Sequence, residues 1–120
     1  MKRTLLTGLL AVSTTASAGT TLVIDWTGAV PHPAVEYRAT HLSLTDDRFF
    51  GRVQIEGQPY VLSTSAGDCT AGGGLVRLHS LTPPQSVADY PWTTAGGTPL
   101  DAATSSLCVV GQHLRSAGRL

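Results

Sequence analysis

The chain contains no asparagine, and its only lysine and only methionine are Lys2 and Met1. Without asparagine there is no acceptor for N-linked glycosylation, and turns fall to Gly, Pro, Asp and Ser. Cysteine is confined to Cys69 and Cys108, too far apart for the Cys-x-x-Cys spacing that tunes thiol acidity. Long apolar runs are missing too. The stretch from Leu5 to Val12 is broken by Thr7 and Gly8, far short of the roughly twenty residues a spanning helix needs.

What that stretch does resemble is an export signal. Lys2 and Arg3 precede it, and Ala16-Ser17-Ala18 follows as a small-x-small cleavage site, in the order of a secretory signal peptide. The expectation is a cleaved signal over residues 1–18 and a single β-rich domain over 19–120, secreted or periplasmic. No cysteine stands near the Ala18/Gly19 junction to take a lipid, so no membrane insertion is expected after cleavage.

Removing Lys2 and Arg3 leaves six arginines against six aspartates and two glutamates. The arginines are scattered from Arg38 to Arg119 rather than run together. A nucleic-acid binder shows a basic patch or stripe, and a membrane-surface binder a polybasic tract. Neither class is expected. The length suits one domain with one modest core.

Outside the cytosol, two cysteines in a small domain read as a disulfide, Cys69–Cys108. Closing a loop of that size stabilises a fold by about 4 kcal/mol in the chain-entropy model, a large fraction of the roughly 5–15 kcal/mol that a domain retains.

The remaining pattern is that of strands. Thr21 to Trp26 is a β-branched apolar run closed by Thr27-Gly28, and Pro31 and Pro33 exclude a helix just after it. From Val35 the residues alternate, with Val35, Tyr37 and Ala39 on one face and Glu36, Arg38 and Thr40 on the other. The phase slips at His41-Leu42, which predicts a β-bulge. Thr45-Asp46-Asp47-Arg48 is a turn. Phe49 to Thr64 reads as a hairpin with a four-residue loop, Glu56 to Pro59, setting Ile55 opposite Tyr60 and Val53 opposite Leu62. Ser65 to Gly74 reads as loop, Leu75 to Leu81 as a strand, and Leu107 to Leu114 as the last strand. Between those two lie residues rich in Pro, Thr and Ala. There Thr98-Pro99-Leu100-Asp101 is a helix start, predicting a short helix from Pro99 to Ser105. The fold class is all-β: a small single-domain β-sandwich or partly open barrel of five to six strands, with one short helix and one disulfide.

No residue set reads as catalytic and no cofactor is implied. His32, His41, His79 and His113 do not pair at spacings that bring two imidazoles together on one element, so no metal site is expected. There is no Gly-x-Ser-x-Gly elbow. Asp46-Asp47 are turn formers before they are an acid/base pair, and Gly72-Gly73-Gly74 precedes a strand instead of opening a helix that could hold phosphate.

The most suggestive surface segment is Asp89-Tyr90-Pro91-Trp92. In a loop, Tyr90 and Trp92 would give rigid contact area to a protein or carbohydrate partner. In the competing reading, Trp92 folds back to cover the core. The function expected is an exported, non-enzymatic binding or structural module. The alternatives are a small secreted hydrolase built around His79 and nearby acids, and an inhibitor of secreted hydrolases acting through residues 89–94.

Overall fold

The computed structural model describes residues 21–31 and 37–120; the expected signal peptide, His32, Pro33 and the start of the second strand lie outside them. In chain order the elements are β1 (Thr21–Asp25), β2 (Tyr37–Thr45), β3 (Arg48–Ile55), β4 (Gln58–Ser65), α1 (Ala66–Ala71), β5 (Gly73–Ser80), β6 (Ser86–Thr93) and α2 (Pro99–Ser116). The six strands form one antiparallel sheet in the order of the sequence, β1-β2-β3-β4-β5-β6. The layer that a second sheet would supply in a sandwich is supplied by α2, which packs across one face.

Two tight hairpins set the register. At Asp46-Asp47 both residues have positive φ (51° and 61°), and at Glu56-Gly57 φ is 51° and 80°. Positive φ at both central positions defines the type I′ turn, whose twist matches that of the flanking strands. The second turn corrects the expected four-residue loop. Ile55 pairs with Gln58, Val53 with Tyr60 and Gly51 with Leu62. The slip is two residues, so the same side chains still face the core. Gly57 accounts for it, because glycine adopts φ +80° without steric cost and lets Pro59 fall past the closing pair.

Three further expectations are corrected. Ser65 to Gly74 is not all loop. Ser65 Oγ accepts from Asp68 N at 3.0 Å and caps α1, which Gly72 ends in the left-handed region at φ 80°. Residues 86–93 are not loop but the edge strand β6. Leu107 to Leu114 is not a strand but the second half of α2. The helix start at Thr98 is found as expected, with a full capping box: Thr98 Oγ1 accepts from Asp101 N, and the Asp101 carboxylate accepts from Thr98 N. Once started there, the helix continues, because Ala103, Leu107, Gly111 and Leu114 recur at helical spacing and all lie buried.

The core lies between α2 and the sheet. Phe49, Leu42, Leu62, Leu107 and Val76 are its largest fully enclosed apolar side chains. Small residues on α2 let the helix approach closely. Gly111 faces the ring of Phe49, and Trp26 packs over Gly51 beside Leu107. The Cys69–Cys108 disulfide forms as expected, joining α1 to α2 with Cα atoms 5.4 Å apart across 39 residues of sequence. Both cysteines are buried. Ser106 Oγ accepts from Val30 N at 2.8 Å and stands 2.8 Å from Tyr37 Oη, so the segment after β1 is held down onto α2.

Candidate functional site

Because α2 covers one face, strand alternation sends every second side chain to the other face, which no helix covers. Cross-strand pairing then fixes which side chains become neighbours there. Thr40 pairs with Arg52, Arg52 with Val61, and Val61 with His79; one row further, Arg38 pairs with Gln54. On the other side of that row, Ser43 pairs with Phe50, Phe50 with Ser63, Ser63 with Arg77, and Arg77 with Asp89. Arg38, Arg48, Arg52 and Arg77, carried by three different strands, therefore share one surface.

The two halves of this surface differ. In the half toward β6, the arginines have partners. Arg77 Nε lies 3.0 Å from Asp89 Oδ1, and Arg48 donates to Ser63 through Nε to the hydroxyl at 3.0 Å and Nη2 to the carbonyl at 3.1 Å. The hydrogen bond from Arg77 holds the Asp89 carboxyl below its ordinary pKa, and the same bond raises that of Arg77. Arg48 is pushed the other way, first by partial burial and then by the charge of Arg77.

Toward β1, Arg38 and Arg52 are exposed and make no ion pair among the described residues. Just past the Thr40–Arg52 pair the β-bulge falls where expected, with the register shifting between Thr40 and Leu42. The extra residue is His41, whose φ of 63° is left-handed. A non-glycine residue there is strained and must be held by its surroundings. Here Trp26 Nε1 donates to the His41 carbonyl at 3.1 Å, and His41 Nδ1 lies 3.0 Å from Thr40 Oγ1.

A furrow follows. One depression of about 410 Å³ is lined by Thr21, Ser43, Phe50, Val61, His41 and Arg52. A second, of about 440 Å³, shares His41 and Arg52 and adds Arg38, Thr40, Gln54 and Pro59. A third, of about 240 Å³, continues past Arg38 and Gln54 to the hairpin tip at Glu56-Gly57. Together they run along β2 and β3 for about 20 Å, from the strand rise over Tyr37 to Ser43. Among the described residues, Asp25 at the β1 margin and Glu56 at the tip are acids beside the furrow. Thr27 hydrogen-bonds the Asp25 carboxylate through its hydroxyl and its backbone N–H, lowering its pKa, and the charge of Arg38 acts in the same direction.

The other candidates fall elsewhere. Trp92 is 3% exposed and donates Nε1 to Thr64 Oγ1 at 3.2 Å, so it closes the core and offers no contact surface; Tyr90, at 44%, stays accessible. The alternation of β6 forces this outcome, since Trp92 pairs with Gly74 on the helix side of the sheet. His79 stands three strands from His41, about 14 Å at the usual interstrand spacing, and its Nε2 lies 3.3 Å from Gln85 Oε1. His113 is exposed on α2. Among the described residues no three His, Cys, Asp or Glu side chains gather as a metal-holding group, and no helix is long and apolar enough to cross a membrane. Sequence reasoning missed Arg38, Arg52 and Phe50 as a site. Strand alternation puts Arg38 with Thr40 and Arg52 with Gln54, but only cross-strand register makes those two sets one surface. No family model, curated protein or solved structure matches the chain.

Proposed function

We propose that the chain is an exported binding module and that the furrow along β2 and β3 is where its ligand lies. One observation carries this reading: among the described residues Arg38 and Arg52, diagonal neighbours on the uncovered face, make no ion pair, and the strained His41 beside the Thr40–Arg52 pair is held in place from the core side. Solvated arginines need no such arrangement, and a bulge that re-aims a side chain is a common device at binding surfaces. Export is supported by the amino-terminal pattern of Lys2-Arg3, Leu5–Val12 and Ala16-Ser17-Ala18 together with the disulfide, which persists outside the reducing cytosol.

The test has two parts. Expressed with its own amino terminus in a secreting host, the protein recovered outside the cytosol should begin at Gly19 by intact mass. On a sulfated polyanion resin, the double variant Arg38→Glu/Arg52→Glu should elute at much lower salt than the parent. A control, Arg115→Glu/Arg119→Glu, makes the same change of charge away from the furrow. If both doubles elute alike, only net charge matters and the furrow is not a site.

A further inference from the structure

Resting on that reading, we propose that the ligand is a linear polyuronate, an acidic polysaccharide bearing one carboxylate on each sugar. The first argument is charge complementarity. Arg38 and Arg52 are diagonal neighbours on paired strands, which puts their side-chain bases roughly 7–8 Å apart. The described residues contain no lysine. A planar guanidinium grips a carboxylate through two parallel hydrogen bonds, whereas an ammonium acts as a point charge. Two such forks along a furrow suit carboxylates repeated along a chain.

The neutral lining adds the second argument. Thr40 and Gln54, cross-strand partners of Arg52 and Arg38, and Ser43 further along the furrow offer hydroxyl and amide groups to sugar hydroxyls. Phe50, half-buried beside Ser43, presents an apolar ring at one end, as a sugar's C–H face requires.

A peptide fits less well. Extended peptides bind sheets by adding a strand to a free edge, but β3 is paired along its length on both sides and β2 is paired with β1 from Thr40 to Ser43. A peptide in the furrow would meet side chains only and leave its own N–H and C=O groups without a ladder. A lipid surface fits less well too. The exposed apolar residues of this face, Val23, Leu75 and Val87, lie on β1, β5 and β6, outside the furrow.

The experiment is calorimetric titration of the full, oxidised chain with oligomeric polygalacturonate. The same material as its methyl ester, poly-L-glutamate of similar length and phosphatidylglycerol vesicles are run in parallel. Polygalacturonate should bind at least tenfold more tightly than the ester or polyglutamate. Arg52→Ala and Arg38→Ala should each weaken it about tenfold, Arg52→Lys should restore only part of the loss, and Arg119→Ala should leave it unchanged. Equal binding of polygalacturonate and its ester, or of polygalacturonate and polyglutamate, overturns the proposal. If polyglutamate or vesicles bind instead and Arg52→Ala abolishes that binding, the polyuronate is wrong and the furrow stands. If no polyanion distinguishes Arg38→Ala or Arg52→Ala from the parent, both fall.

Discussion

Trp26 donates its indole Nε1–H to the backbone carbonyl of His41 at 3.1 Å, joining the buried core to the strained residue in the middle of the furrow. The ring itself is 2% exposed and packs against Gly51 and Leu107. One side chain therefore serves both layers: its body fills the gap between helix and sheet, and its N–H satisfies a carbonyl that the bulge takes out of the regular ladder.

Trp26→Phe keeps an aromatic ring but removes the donor. Leaving a part-buried carbonyl unsatisfied costs about 1–3 kcal/mol, and the smaller ring adds to that. The urea midpoint should fall accordingly, and retention on a polyanion should weaken because His41 is no longer held. An unchanged midpoint would show that water replaces the indole at that carbonyl without loss.

Gly111→Ala sets two effects against each other. In a helix interior the change is favourable by up to about 1 kcal/mol. At this position, however, the new Cβ would come within 2.7 Å of Phe49 Cδ1. Phe49 is fully buried, so its ring cannot swing away. Overpacking of this kind costs typically about 1–3 kcal/mol, and the steric cost wins. The melting temperature should drop, and the double variant Gly111→Ala/Phe49→Leu should recover part of the loss.

Removing the Cys69–Cys108 bridge by the paired change to alanine should lower stability by up to about 4 kcal/mol if loop closure in the unfolded chain dominates. The crosslink ties α1 to α2, and both cysteines are buried, so the folded protein should resist mild reductant while the urea-unfolded protein does not. Thiol counting against urea concentration reads this directly. Rapid reduction of the folded state would contradict it.

The exposed pair Arg77–Asp89 gives a pH signature without a large energy. A carboxyl whose folded pKa is lowered contributes stability above its unfolded pKa and loses it as pH falls through the folded value. The window for Asp89 therefore lies below the ordinary carboxylate range. Because both side chains are about half exposed, solvent screening keeps the contribution small, and carboxyl NMR is the proper measurement. Asp89 should titrate low in the parent and return upward in Arg77→Ala. A titration curve indifferent to that change would mean the ion pair does not persist in solution.

What was legible in the sequence follows the range of the forces involved. The bulge at His41 could be read from a phase slip within one strand, the start of α2 from Thr98-Pro99-Leu100-Asp101, and the turn at Asp46-Asp47 from residues that tolerate left-handed backbone. Each of these has its cause within a few residues of itself. The α1 helix was equally local, with Ser65 three residues before Asp68 and Gly72 just after its end, and was hidden only by the surrounding small residues.

Leu107 to Leu114 shows where local reading stops. Leu107-Cys108-Val109-Val110 is a short apolar run, and such a run suits a strand or a helix equally well. Packing decides between them: Leu107, Gly111 and Leu114 meet the sheet, while Val109 is left 53% exposed. The sequence by itself determined that Cys69 and Cys108 would pair, that the chain would turn at Asp46-Asp47, and which side chains of β2, β3 and β4 would share a face. Only the tertiary structure decided that a helix covers one of those faces, that Trp92 closes the core instead of reaching outward, and that arginines scattered along the chain gather on the uncovered side. Alternation is a property of one strand, whereas a surface is made by the register between strands, which no single stretch of sequence contains.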